Sequence, residues 1–125
     1  MTLLVLISLR GHTMNMEEQL KQVDSSIAEC KHLMNVRDSL VKLQKNRDFK
    51  KVILESYFKE EAARLVMAKS SDLGSEHQDI FDRMIYGVGS LAKFLDMVIT
   101  RGDQAEEELA SHEEAKVLIL QEGLA

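Results

Sequence analysis

Residues 81–119, FDRMIYGVGSLAKFLDMVITRGDQAEEELASHEEAKVLI, decide how the whole chain is read. Phe81, Met84, Val88, Leu91, Leu95, Val98, Gly102, Ala105, Leu109, His112, Lys116 and Ile119 follow one another in steps of 3 and 4 without a slip. Such steps keep side chains on one stripe of an α-helix and do not match the two-residue alternation of a strand. The first half of the stripe is apolar enough to be core. From Gly102 its members turn small or polar, so the seam is expected to loosen or leave the body there. Gly102-Asp103 is a candidate stop, although nothing forbids a helix that runs on to Leu120. Gly87 and Gly89 each cost ~1 kcal/mol relative to Ala inside a helix, and close packing against a neighbouring helix is the expected compensation.

Two further helices precede this one. Ser70-Ser71-Asp72-Leu73-Gly74-Ser75 is the clearest loop, and Ser75 with Gln78 forms a capping box for the helix that follows. Residues 47–69 carry Phe49, Val52, Ile53, Tyr57, Ala62, Leu65 and Val66 on one face, broadened by Leu54, Phe58 and Met67. Asn46 is the predicted break and N-cap before them, with Asp48 suited to the positive end of the helix dipole. Residues 16–45 form the first helix. Met16, Leu20, Val23, Ile27, Cys30 and Met34 are spaced 4, 3, 4, 3, 4, which is a coiled-coil seam, and the phase then slips to Leu33, Val36, Leu40 and Leu43.

The predicted fold is therefore all-α, a three-helix antiparallel bundle with long coiled-coil-like first and third helices. It forms a single helical domain over 14–120, followed by a C-terminal tail at 121–125. Phe49, Ile53, Tyr57, Leu65, Val88, Leu91 and Leu95 are expected to hold it together. The two long seams have the length to associate between chains, so a homo-oligomer or a place in a larger assembly is expected.

Composition narrows the function. A chain of 125 residues has room for one domain. It lacks proline, so nothing forces a break in a long helix, and it lacks tryptophan, so base stacking on exposed rings is disfavoured. A net charge of −5 argues against non-specific binding to phosphate backbones, so no direct nucleic-acid partner is expected. The one cysteine, Cys30, has no internal partner for a disulfide, which fits a reducing compartment.

Residues 1–13 stand apart. Residues 3–9 are apolar but lack the basic start and the small-residue cleavage site of a signal peptide, and seven residues are far short of a bilayer span. Leu9-Arg10-Gly11 can be encoded by a stretch containing AAGAGG, a bacterial ribosome-binding sequence suitably placed before Met14 or Met16. Residues 1–13 are thus expected to be a non-native leader or disordered, with the natural start at Met14 or Met16. Without them 15 cations face 21 anions, a net charge of −6.

The segment Leu43-Gln-Lys-Asn46-Arg-Asp48-Phe49-Lys50-Lys-Val-Ile53-Leu-Glu-Ser-Tyr57-Phe58-Lys59-Glu-Glu-Ala62-Ala-Arg64-Leu65-Val66 resembles a group of small all-helical proteins encoded by tailed bacteriophages. Those proteins pair an Asn-x-Asp-Phe-Lys helix start with Tyr-Phe-Lys and Arg-Leu-Val continuations. The Leu-Ala-Lys-Phe-Leu stretch at 91–95 and Gly102-Asp-Gln-Ala-Glu are similar to them as well. The resemblance implies a phage-encoded helical accessory protein associated with the virion or its assembly, located in the virion or the host cytoplasm. It carries over no catalytic residue.

Candidate chemistry is sparse. Glu29-x-x-His32 matches the di-iron motif of four-helix bundles, but such sites need a second copy and further carboxylates, which the sequence lacks. Cys30 is read as a small apolar seam residue, and His12, His77 and His112 as dispersed, so no metal ligand and no cofactor is expected. Gly87-Val-Gly89-Ser90 lacks the strand and lysine of a phosphate loop. No nucleophile–base spacing stands out, so the chain is not expected to be an enzyme. Two charged features remain. Lys42, Lys45, Arg47, Lys50 and Lys51 crowd the junction of the first two helices, and Asp103, Glu106, Glu107, Glu108, Glu113 and Glu114 follow without an intervening Lys or Arg. Those six acids are the candidate partner-binding residues, docking a basic patch on a sister subunit or another virion protein. The expected function is a minor virion structural or assembly component acting through protein–protein contacts. The alternative is an early phage regulator that binds and inhibits a host protein.

Overall fold

The structure, a computed structural model, describes residues 15–71 and 74–124. It is all-α, with three helices and no strand among the described residues. Helix α1 is Met16–Gln44. Helix α2 covers residues 47–69, in which Arg47–Phe49 and Ala62–Lys69 are α-helical and Lys50–Glu61 is wound with π turns. A 3₁₀ turn, Gly74–His77, leads into α3, Gln78–Leu124. The leader at 1–13 and the side chain of Ser75 lie outside the described residues.

The caps explain the helix ends. Asn15 Oδ1 accepts the Glu18 backbone N–H at 2.8 Å, and Glu17 and Glu18 put negative charge on the first turn of α1. Asn46 takes an extended conformation and its Oδ1 accepts the Phe49 N–H at 3.0 Å, so the predicted cap of α2 is present. The far end of α2 closes on Ser70 and Ser71, whose hydroxyls donate to the carbonyls of Val66 and Ala68 at 3.0 and 2.7 Å.

Where the sequence predicts one domain over 14–120, the chain divides into two compact units. The first is the chain up to Asp38 together with Thr100 onward, and the second is Ser39–Ile99.

In the first unit α1 and the last part of α3 pack antiparallel. Val23, Ala115 and Ile119 form a buried cluster, with Leu20 and Ile27 against it. Asp24 pairs with Lys116 at 2.8 Å, and Met16 abuts Gly123. A fully buried valine such as Val23 contributes about 1.5–3 kcal/mol, and small partners such as Ala115 let the helices approach. The expectation that the α3 seam loosens from Gly102 is therefore overturned. Gly102, Ala105, Ala115 and Ile119 are all buried, because small side chains here permit contact where large ones would hold the helices apart. Helix α3 does not stop at Gly102-Asp103, and it takes in most of the predicted tail, running to Leu124. The seam of α1 is used inside the chain, where Leu20, Val23 and Ile27 meet α3.

The phase slip in α1 is half as expected: Leu33 is half-buried and Leu40 buried. Arg37 and Leu40 carry the covered face onward, while Val36 and Leu43 are exposed.

In the second unit Leu40, Leu65, Val88 and Val98 are buried. Phe49, Ile53, Leu54, Tyr57, Phe58 and Ala62 are half-buried, and the Tyr57 and Phe58 rings lie tilted with centroids 5.7 Å apart. Val52 and Val66, expected on the same face, are exposed. The winding accounts for Val52: i→i+5 turns bring residues about four to five apart into line, so Phe49, Ile53, Tyr57 and Ala62 share a face that Val52 leaves. Leu91 and Leu95, expected among the core residues, are only half-buried. The turn between α2 and α3 is held by an ion pair of Lys69 with Asp82 and by Gln78 Nε2 donating to the Lys69 carbonyl at 2.9 Å. Gly87 and Gly89 do not serve close packing, since a Cβ on either would meet nothing within 4 Å. No helix among the described residues is long and apolar enough to cross a membrane.

Candidate functional site

The acidic stretch of α3 does not face solvent as one block. Arg37, on α1, reaches across the first unit: its Nη1 donates to Asp103 Oδ1 and its Nη2 to Glu106 Oε1, both at 2.9 Å. Its Nε donates to Asp38 Oδ1 at 3.0 Å. The Arg37 side chain keeps only 11% of its exposure. The planar guanidinium suits this forked pairing in a way that a lysine would not. Hydrogen bonds to Glu106, then to Asp103, hold its pKa above the ordinary arginine value. Gly102 makes the approach possible: a Cβ there would stand 2.3 Å from Arg37 Cβ and 2.6 Å from its Cδ.

Of the six candidate partner-binding acids, Asp103 and Glu106 are thus engaged by their own chain. Glu107, Glu113 and Glu114 are exposed and form no ion pair among the described residues. Glu108 points elsewhere. One carboxylate oxygen of Glu108, a ring nitrogen of His112 and the Cys30 sulfur all lie within 4.8 Å of one another. Cys30 is 4% exposed and Glu108 is exposed at the edge of the group. His112 Nδ1 is buried and has no hydrogen-bond partner. Burial pushes the Cys30 thiol pKa up, and the carboxylates of Glu108 and Glu29 add to that.

These three side chains are the ones among the described residues that could hold a metal ion. Along the sequence they stand apart, Cys30 as a small apolar seam residue and His112 as one of several dispersed histidines. A signal was present in Glu108 and His112, which stand i, i+4 on α3 and so share a face. Glu29 and His32, the pair that the Glu-x-x-His spacing singled out, are both exposed.

In the second unit the basic crowd is real. Lys45, Arg47, Lys50 and Lys51, with Glu55, line an open depression of about 450 Å³. Its cations could meet carboxylates or phosphates, but all four side chains are exposed and would interact through solvent-screened charge. Several large apolar side chains of this unit also face solvent, among them Met67, 73% exposed, and Tyr86, 78% exposed. Ile80, Met84, Gly87, Leu91 and Phe94 follow in steps of 4, 3, 4, 3, one stripe along α3, of which Ile80, Met84 and Phe94 are exposed.

No protein-family model, no curated protein and no solved structure matches the chain.

Proposed function

We propose that this is a non-catalytic, phage-encoded helical protein that works by binding other protein chains, as a minor virion structural or assembly component. The observation that carries the reading is the stripe of Ile80, Met84 and Phe94 on α3, large apolar side chains left at the surface of a small unit. Scattered apolar side chains are ordinary on protein surfaces, but three in heptad-like register on one helix face have the form of a helix-packing seam without a partner helix. Exposed Glu107, Glu113 and Glu114 and the basic depression at Lys45–Lys51 add charged faces of both signs, which favour orientation and rate of encounter over affinity. The phage setting rests on the resemblance of residues 43–66.

Mass spectrometry of purified phage particles tests this reading. The protein is expected at a fixed number of copies per particle. The double variant Ile80→Glu/Phe94→Glu, both sites exposed in the folded chain, is expected to fold and to be missing from particles. Absence of the wild-type protein from well-covered particles would remove the virion role, and a host protein captured from infected cells would then favour the inhibitor.

A further inference from the structure

We propose that Cys30, Glu108 and His112 form a binding site for a divalent transition-metal ion, zinc in the first place. The site stands independently of the function proposed above. Its donors come from two helices: Cys30 from α1, and Glu108 and His112 from successive turns of α3, all within one compact unit. Thiolate, imidazole and carboxylate are together the donor set of zinc, whereas magnesium and calcium call for oxygen alone. Bonds of about 2.0 and 2.3 Å at a tetrahedral angle put ligand atoms about 3.5 Å apart. The observed separations of no more than 4.8 Å need closure by about an ångström, within reach of side-chain torsions alone.

Two independent features point to a cation there. His112 Nδ1 is a buried nitrogen with no hydrogen-bond partner, an arrangement that costs free energy unless something fills it. The buried Cys30 sulfur, a Glu108 carboxylate oxygen and a His112 ring nitrogen converge from two helices to within 4.8 Å of one another. A divalent ion takes the thiol as thiolate and offsets the charge of the neighbouring carboxylate. Glu108 is exposed, so one donor of the site lies at the surface. Three protein donors leave a fourth position for water or for a side chain from a binding partner.

The test uses the full-length protein, stripped with a chelator and titrated with Co²⁺ as a spectroscopic stand-in and then with Zn²⁺. One Co²⁺ per chain is expected, with a thiolate-to-cobalt charge-transfer band in the near ultraviolet that Zn²⁺ abolishes by displacement. Cys30→Ser removes the band, and both it and His112→Ala weaken Zn²⁺ binding by more than about 100-fold, beyond the loss usual for an outer-sphere partner. Glu29→Gln and Glu113→Gln leave the band and the affinity unchanged. A wild-type protein without the charge-transfer band would overturn the proposal, as would Zn²⁺ affinity that survives both ligand substitutions. Should Cys30→Ser fail to fold, the wild-type spectrum and the His112→Ala titration decide the matter alone.

Discussion

Gly102 lies directly against Arg37, with room for a hydrogen and none for a methyl group: a Cβ on Gly102 would sit 2.3 Å from Arg37 Cβ. The clash is with the root of the arginine side chain, which rotamer changes do not move. Gly102→Ala should therefore destabilise the protein by about 1–3 kcal/mol, outweighing the ~1 kcal/mol that Ala gains over Gly in helix propensity. Gly87→Ala and Gly89→Ala, which meet nothing within 4 Å, should each stabilise by about 0.5–1 kcal/mol. Thermal melts of the three variants check the prediction, and a common sign would refute it.

Arg37→Lys keeps the charge and loses the fork. Asp103 and Glu106 are more than half exposed, so solvent screens each contact and only a small drop in melting temperature is expected. The drop should shrink in high salt. A salt-independent change would mean that packing against Gly102, not charge, is what the lysine fails to supply.

Glu61 supplies a pH dependence. The hydrogen bond from Arg64 holds the Glu61 carboxyl below its ordinary pKa. A depressed folded-state pKa contributes stability above the unfolded-state pKa, and that stability is lost as pH falls through the folded value. Wild type should thus melt slightly above Glu61→Gln at neutral pH, and the gap should close below about pH 4. A gap that widens with acid would contradict the pairing.

Leu65, 1% exposed, anchors α2 in the second unit. Leu65→Ala should cost about 2–5 kcal/mol by lost burial and a residual cavity. Met67→Ala, two residues on but facing solvent, should stay within about 0.5 kcal/mol of wild type. Denaturant titration distinguishes them, and equal effects would show that the face of α2 is assigned wrongly.

The sequence made some of this legible and hid the rest for definite reasons. The Asn46 cap and the long stripe of α3 are local patterns, carried by neighbouring residues, and both appear in the structure. Glycine is ambiguous by nature: Gly87, Gly89 and Gly102 look alike on one helix, and only the partner across the gap separates open space from contact. Arg37, a charged residue three places after Met34, reads as surface in the sequence, and only Gly102 opposite makes room for its burial. The meeting of Cys30 with Glu108 and His112 depends on antiparallel register, which periodicity along a single helix does not encode. The π winding of Lys50–Glu61 left no mark in residue types, and it moved Val52 out of the face that 3.6-residue counting had given it.

The burial of Cys30 has a practical consequence. A lone thiol sealed between α1 and α3, with its ionisation suppressed, can be alkylated only when those helices part. Its labelling rate is then a clock for transient opening of the first unit, read without any engineered probe. Followed against denaturant, that clock tells whether the first unit opens by itself or only when the whole molecule unfolds, because the second unit has no cysteine to contribute to the signal.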